Sequence, residues 1–272
     1  MEPEENLTET TRKQWNQAAK PFAEFVRSGK NYYSEYMNGP ALIRMMGNVQ
    51  GKRILDVGCG EGSFSRHFAK LGAEVTGVDI SEGLIQAAAQ EEQRHPLGIK
   101  YHIADAANMP MLQSESFDTA YCYMAMMDIA NYREAIAEVS RLLKARGKFV
   151  IVMVHPCFDT WSLEGRPVGY WETRIREDGS KEHLYYRIEE YFTNAHYTSE
   201  WKHNRLTSGF ITTGFHRTLS DYINTLTANN LMITKLEEPQ PLAQGVRYLP
   251  SMEKHRRVPQ SIVIETAKLE NK

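Results

Sequence analysis

Three aspartates of this chain stand where chemistry on a nucleotide is done. Asp56 precedes the glycine turn Gly58-Cys59-Gly60-Glu61-Gly62, Asp79 ends the run that begins at Glu74, and Asp105 follows the run that begins at Lys100. A glycine-rich turn alone is a weak signal. The dinucleotide fingerprint sets its third glycine three places after the second. That place holds Ser63, and the glycine falls at 62. Asp56 and Glu61 also put two carboxylates beside the turn. At about 4–6 Å and an effective dielectric near 20, each would repel a pyrophosphate charge by roughly a few kcal/mol. A ligand carrying an ammonium and a sulfonium would be attracted instead.

The elements that must position these residues are legible from periodicity. Arg53–Val57, Glu74–Val78, Lys100–Ala104, Phe117–Tyr123 and Phe149–Val154 read as strands. Between them run helices: one over Ser63–Lys70 closed by Gly72, one capped by Ser81 and ended by Pro96, and one opened by an Asn131/Glu134 capping box and closed by Gly147. Strands alternating with helices predict an α/β fold, a mostly parallel, doubly wound sheet. Upstream, residues 9–27 read as a helix that Pro21 kinks or interrupts, and Asn38-Gly39-Pro40 starts another. Residues 156–215 break the rhythm and are dense in aromatic side chains. Leu184–Phe192 reads as a strand there, and 177–180 as a hairpin turn. The rhythm returns with a helix over Thr218–Asn229 and strands at Leu231–Leu236 and Ser261–Thr266. The aromatic segment is therefore an insertion in one domain.

Ile54-Leu55-Asp56-Val57-Gly58-Cys59-Gly60-Glu61-Gly62 resembles motif I of the class I S-adenosylmethionine-dependent methyltransferases. Gly77-Val78-Asp79-Ile80-Ser81 resembles the second motif, and Ala104-Asp105-Ala106 with Met109-Pro110 and Phe117-Asp118 the third. Pro259–Ile264 is similar to the family's last, antiparallel strand. The resemblance covers most of 50–155 and 215–268 and implies a seven-stranded sheet with S-adenosylmethionine as cofactor. It implies that Gly58 and Gly60 let the backbone approach the methionine part, and that Asp56 helps hold the ammonium through water. Asp79 would take the ribose hydroxyls, Ile80 would flank the adenine, Asp105 would accept from the adenine amino group, and Ala106 would offer a backbone N–H. Residues 1–49 would cap the cofactor, with Tyr33 reaching its carboxylate. Any one of these aspartates alone could be a turn or cap residue; three at consecutive strand ends make a set.

Methyl transfer from a sulfonium is an in-line displacement, so the acceptor side must align a nucleophile and exclude water. A neutral amine needs no strong base, whereas a hydroxyl does. The insertion after the fifth strand, 156–215, is the expected acceptor pocket and lid, with Tyr191, His196 and Trp201 as pocket residues. The competing reading is a small aromatic core of a β-hairpin extension. His155 and Asp128, at the ends of the fifth and fourth strands, are the catalytic candidates. Their plainer roles are a structural histidine and a helix cap. His216 is a weaker candidate still.

The remaining features narrow the partners. A net charge of −2 gives no case for nucleic acid. The short basic run Lys254–Arg257 reads as a solvated loop. Three widely spaced cysteines suggest neither a disulfide framework nor a metal site. The polar start is no signal peptide, and no apolar run reaches the ~20 residues of a membrane span. The expectation is a cytoplasmic monomer or homodimer that methylates nitrogen or oxygen of a small molecule, carbon being a further option. The rivals are a protein or RNA methyltransferase, an NAD-dependent oxidoreductase and a non-catalytic cofactor-binding module.

Overall fold

The computed structural model describes residues 4–202 and 205–270. Helix α1 (Glu4–Arg27) runs through Pro21 without interruption; of the two outcomes the sequence predicts there, kink or break, the break does not occur. A single π turn (Ser34–Asn38) leads into α2 (Gly39–Met46), which starts with Pro40 in its first turn as expected. Then β1 (Arg53–Val57), α3 (Ser63–Lys70), β2 (Glu74–Asp79), α4 (Glu82–Arg94), β3 (Lys100–Ile103), β4 (Phe117–Tyr123), α5 (Tyr132–Leu142) and β5 (Leu143–Val154) alternate. The Ser81 hydroxyl accepts from Leu84 N and so caps α4. Asn131 makes no such bond to α5, so the expected capping box is absent there. Strand β5 begins directly after α5, earlier than predicted. A register shift against β4 accommodates the Lys144–Gly147 corner, where Arg146 has φ +60°.

Residues 156–216 are strand-rich and antiparallel. The pairs are β6 (Ser162–Leu163) with β7 (Arg166–Pro167), β8 (Gly169–Ile175) with β9 (Lys181–Ile188), and β10 (Ala195–Trp201) with β11 (Phe210–His216). The turn between β8 and β9 sits where Asp178-Gly179 predicts it. Helix α6 (Leu219–Ala228) carries a full capping box from Thr218 and Asp221. Strand β12 (Leu231–Glu237), the short α7 (Ala243–Tyr248) and β13 (Ser261–Lys268) complete the chain.

The central sheet has seven strands in the order β12-β13-β5-β4-β1-β2-β3, parallel except for β13, which runs antiparallel between β5 and β12. Its inner strands β1, β4, β5 and β13 are buried on both faces, which is why they read as nearly continuous apolar runs, while the edge strands β3 and β12 are largely open. In β5, Phe149, Ile151 and Met153 enter a core shared with α5 and α6, while Val150 and Val152 enter a second core with α2 and Phe68 of α3. Each such side chain, fully buried, contributes about 1.5–3 kcal/mol. These two cores hold the C-terminal tips of β1, β2, β4 and β5 in a row, the place where ligand crevices open in such sheets. No described helix is long and apolar enough to cross a membrane.

Candidate active site

The glycine turn leaves β1 in a left-handed path, with φ +71° at Gly58, +57° at Gly60 and +80° at Gly62. Gly58 admits no side chain: a Cβ there would meet the Ala125 Cβ at 2.5 Å. The Gly58 and Cys59 amides donate to the Val78 carbonyl at 2.8 and 3.0 Å, which ties the turn to β2. The first strand tip thus presents bare backbone to the crevice.

The carboxylates divide into two kinds. Asp79 ends β2 with Oδ2 accepting from Gly60 N and Oδ1 from Ser81 N, both at 2.8 Å. Burial pushes its pKa up, against the pull of these two bonds. Asp56 is 2% exposed and accepts from the Ser65 hydroxyl. Burial, with a contribution from the Asp79 charge, raises its pKa to about 7. Asp105 accepts from Ala107 N at 2.9 Å. Glu61 is different. It is as buried as Asp56, but Arg27 Nε lies 3.0 Å and Arg66 Nη2 2.8 Å from its carboxylate. Two guanidinium groups offset its charge, so the repulsion assigned to Glu61 from sequence is corrected here. The acidic character of the turn rests on Asp56 and Asp79.

One cavity of about 620 Å³ joins these residues. Asp56, Gly58, Gly60, Asp79, Ile80, Asp105 and Ala106 line it, as do Tyr33, Asp128 and Trp201. One face of α1 roofs it through Thr8, Thr11, Trp15, Phe22 and Phe25. Phe22 meets Trp201 edge-on at 6.2 Å, and Trp201 stacks on Phe210 at 5.2 Å, which joins the roof to β10 and β11. Thr11 is buried, yet its hydroxyl has no protein partner. The Asp79 oxygens, each with one backbone amide bonded and capacity left, line the cavity and fit a ligand bearing hydroxyl donors.

Three residues expected at the site lie elsewhere. His155 is buried outside the cavity. Its Nε2 is 3.0 Å from the Glu238 carboxylate, and its Nδ1 accepts from Cys157 N at 3.2 Å. Both ring nitrogens are engaged away from the crevice, which corrects its candidacy as a base. The Tyr191 hydroxyl accepts from Leu219 N at 2.9 Å and braces the start of α6. His196 is exposed, because side chains on β10 alternate: Tyr197, Ser199 and Trp201 line the cavity and His196 takes the other face. His216, also outside, stacks on Trp161 at 4.5 Å.

The structure brings in residues the sequence did not place at a site, and it corrects the run Lys254–Arg257, read as a solvated loop: Lys254 and His255 lie in a 3-10 turn against the cavity, His255 buried. His255 lines the cavity with its Nε2 3.2 Å from the Tyr33 hydroxyl and its Nδ1 3.4 Å from the Val258 carbonyl. Burial first, then Lys254, lowers its pKa to about 4, so the ring is neutral and Nε2 accepts from Tyr33. Asp159, Trp171, Tyr186 and Tyr197 line the far end with Asp128. Burial and the Asp159 charge raise Asp128 to about 8, and burial raises Asp159 to about 6. The alternation in β10 was the available signal for Tyr197; nothing local marks Asp159 or His255. Among the described residues no group of three or more His, Cys, Asp or Glu could hold a metal ion.

Residues 55–151 match the family model described as "Methyltransferase domain". The chain is 27% identical to an uncharacterised Haemophilus influenzae protein over 79% of this chain and 80% of that one. It is 33% identical to the ubiquinone biosynthesis O-methyltransferase of Coxiella burnetii over 42% of this chain, a stretch that spans about half (48%) of that enzyme. The fold matches the crystal structure of an S-adenosylmethionine-dependent methyltransferase from Mesorhizobium loti with a TM-score of 0.66 and 25% identity, covering 84% of this chain and 96% of that one. With acids at the tips of three adjacent parallel strands, a glycine turn closed to side chains and a seventh strand reversed, the chain has the fold of S-adenosylmethionine-dependent methyltransferases and carries a methyltransferase domain over residues 55–151.

Proposed function

We propose that this methyltransferase acts on nitrogen or oxygen of a small molecule received at the aromatic end of the cavity. The observation that carries this is the continuity of one roofed space of about 620 Å³ from Asp105 past the glycine turn to Trp171 and Tyr186. That volume is typical of small-molecule sites. A folded protein or an RNA helix would need an open groove instead. The Coxiella relative is named as an O-methyltransferase, which favours oxygen as one acceptor atom here.

The bound cofactor supplies an electrophilic methyl group on a sulfonium. The chain's own residues bind, orient and exclude water. Each Asp79 oxygen spends one lone pair on a backbone amide and keeps capacity for a ribose hydroxyl. Asp105 takes the adenine amino group, Ala106 offers its N–H to the ring, and Ile80 packs on it. Gly58 and Gly60 allow close approach of the methionine part, Asp56 faces its ammonium through water, and Tyr33 beside His255 takes its carboxylate. Residues 1–49 serve as the cap, 156–215 as the acceptor lid, and 50–155 with 216–272 as the core. The partner is a small molecule and neither nucleic acid nor membrane. The enzyme works as a monomer or homodimer in the cytoplasm.

The test has two arms. Calorimetry with S-adenosylmethionine, S-adenosylhomocysteine and NAD should show binding of the first two alone. A screen of amine, phenol and carboxylate metabolites should then yield S-adenosylhomocysteine with one class. Binding of NAD in preference to the sulfonium would overturn the proposal.

A further inference from the structure

The acceptor end of the cavity is built around a fixed carboxylate. Asp159 is 8% exposed and lines the cavity. Tyr197 donates its hydroxyl to Asp159 Oδ2 at 2.9 Å, and Tyr186 donates to the Asp159 backbone carbonyl at 2.7 Å. Two glycines make room for this grip. A Cβ at Gly169 would lie 2.0 Å from the Asp159 carbonyl oxygen, and a Cβ at Gly214 would lie 2.7 Å from the Tyr197 ring. A carboxylate held by side chain and main chain together is preorganised for a ligand.

Asp128 faces the same space, close enough for the Asp159 charge to act on it. No described residue donates a hydrogen bond to its carboxylate. The nearby Arg217 gives its guanidinium to the Ile129 and Ala130 carbonyls at 2.7 and 2.8 Å. Two carboxylates in one chamber repel each other, and neither is bonded to a cation. Part of the chamber lining is aromatic: Tyr186 meets Trp171 edge-on at 5.6 Å and Phe158 at 6.0 Å. Aromatic faces attract cations and repel carboxylates. Lys254 stands 6.0 Å from the Trp171 centroid at this wall, whereas the cation near Asp128, Arg217, is taken up by the Ile129 and Ala130 carbonyls.

We infer that the acceptor carries a basic amine, held as its ammonium between Asp128 and Asp159, with its apolar part against the aromatic wall. This rests on the reading that the chamber beside the glycine turn receives the acceptor. It narrows the small-molecule class to amines and gives the ammonium a direction, away from Lys254 and toward the sheet tips.

The probes are phenethylamine, 2-phenylethanol and 3-phenylpropanoate, which share a ring and differ in the charge of the tail. Binding is measured by calorimetry at neutral pH, with and without S-adenosylhomocysteine, for the unmodified protein, Asp159→Asn and Tyr197→Phe. Phenethylamine should bind roughly tenfold more tightly than the alcohol, and the carboxylate more weakly than both. Asp159→Asn should abolish this order, and Tyr197→Phe, which leaves the carboxylate in place, should weaken it severalfold. Equal or tighter binding of the alcohol or carboxylate, no binding of any probe at millimolar concentration, or an order unchanged in both variants would overturn the inference. Failure to bind S-adenosylhomocysteine with the ammonium preference intact would sink the cofactor reading and leave this one standing. Binding of that product with no preference would do the reverse.

Discussion

Arg27, in the last turn of α1, reaches the buried Glu61 carboxylate on the glycine turn at 3.0 Å. This contact pins the roof to the first strand tip. Arg66 holds the same carboxylate at 2.8 Å, so Arg27→Ala leaves Glu61 with one partner. Because Arg27 is about a third exposed (34%), its loss should cost roughly 1 kcal/mol of stability. S-adenosylmethionine affinity should fall about fivefold as the roof loosens, read by calorimetry beside a thermal melt. An unchanged dissociation constant would mean that α1 does not close the site.

Cofactor affinity should depend on pH through Asp56. Its pKa near 7 means the ligand-free carboxyl holds a proton in mildly acidic solution. An ammonium favours the ionised form, so binding must expel that proton below pH 7. Affinity is therefore full above about pH 7 and weakens by up to tenfold per pH unit below it. Calorimetry in buffers of different ionisation enthalpy should detect the released proton, and Asp56→Asn should remove the dependence.

Stability of the ligand-free protein should fall as pH rises from about 6.5 to 8.5. Asp56 at about 7 and Asp128 at about 8 retain protons that the unfolded chain, with carboxyl pKa values near 4, has lost. The native state binds more protons there, so raising pH favours unfolding. The buried histidines His155, His216 and His255 have lowered pKa values and act in the opposite sense, but below about pH 6.5 where unfolded histidine titrates. Melting temperatures across this window should decline in the native sequence and decline less in Asp128→Asn.

Gly58→Ala should be far worse than Gly98→Ala. Both residues have positive φ, +71° and +79°, but only Gly58 has a neighbour inside van der Waals contact. Gly98→Ala should cost about 1 kcal/mol of backbone strain. Gly58→Ala adds overlap with Ala125 and should cost at least about 2 kcal/mol, with loss of cofactor binding. Similar melts for the two variants would argue against the tight turn.

His155 and His255 should separate in kinetics. His155→Gln should lower the melting temperature and leave kcat within about twofold, because its bonds run to Glu238 and Cys157. His255→Gln, beside Tyr33 in the cavity, should raise the apparent KM for S-adenosylmethionine by about tenfold. A large kcat loss in the first variant would restore His155 as a base.

The cofactor end was readable because its residues sit at strand tips that are themselves encoded by local runs. Asp56, Asp79 and Asp105 converge through a sheet order that their alternation with helices already implies. The acceptor end was not readable in the same way. Tyr197 faces Asp159 through antiparallel pairing of β10 with β11, and His255 comes from a segment folded back on Tyr33. Such meetings depend on long-range register. His196 and Tyr197 differ by one position and therefore by one whole face. Pro21 does not break α1, because tertiary packing of α1 on α4 and β11 outweighs one lost backbone bond.

The roof helix also sets a timetable for assembly. Glu24 of α1 bonds to Thr207, 183 positions later, and Trp15 rests on Phe210. Helix α1 can pack on α4 early, but its seat on β11 forms only after the long stretch between them has been made. Until then the aromatic face of α1, Trp15 and Phe22, is uncovered and sticky, so this helix is where a nascent chain most needs chaperone shelter.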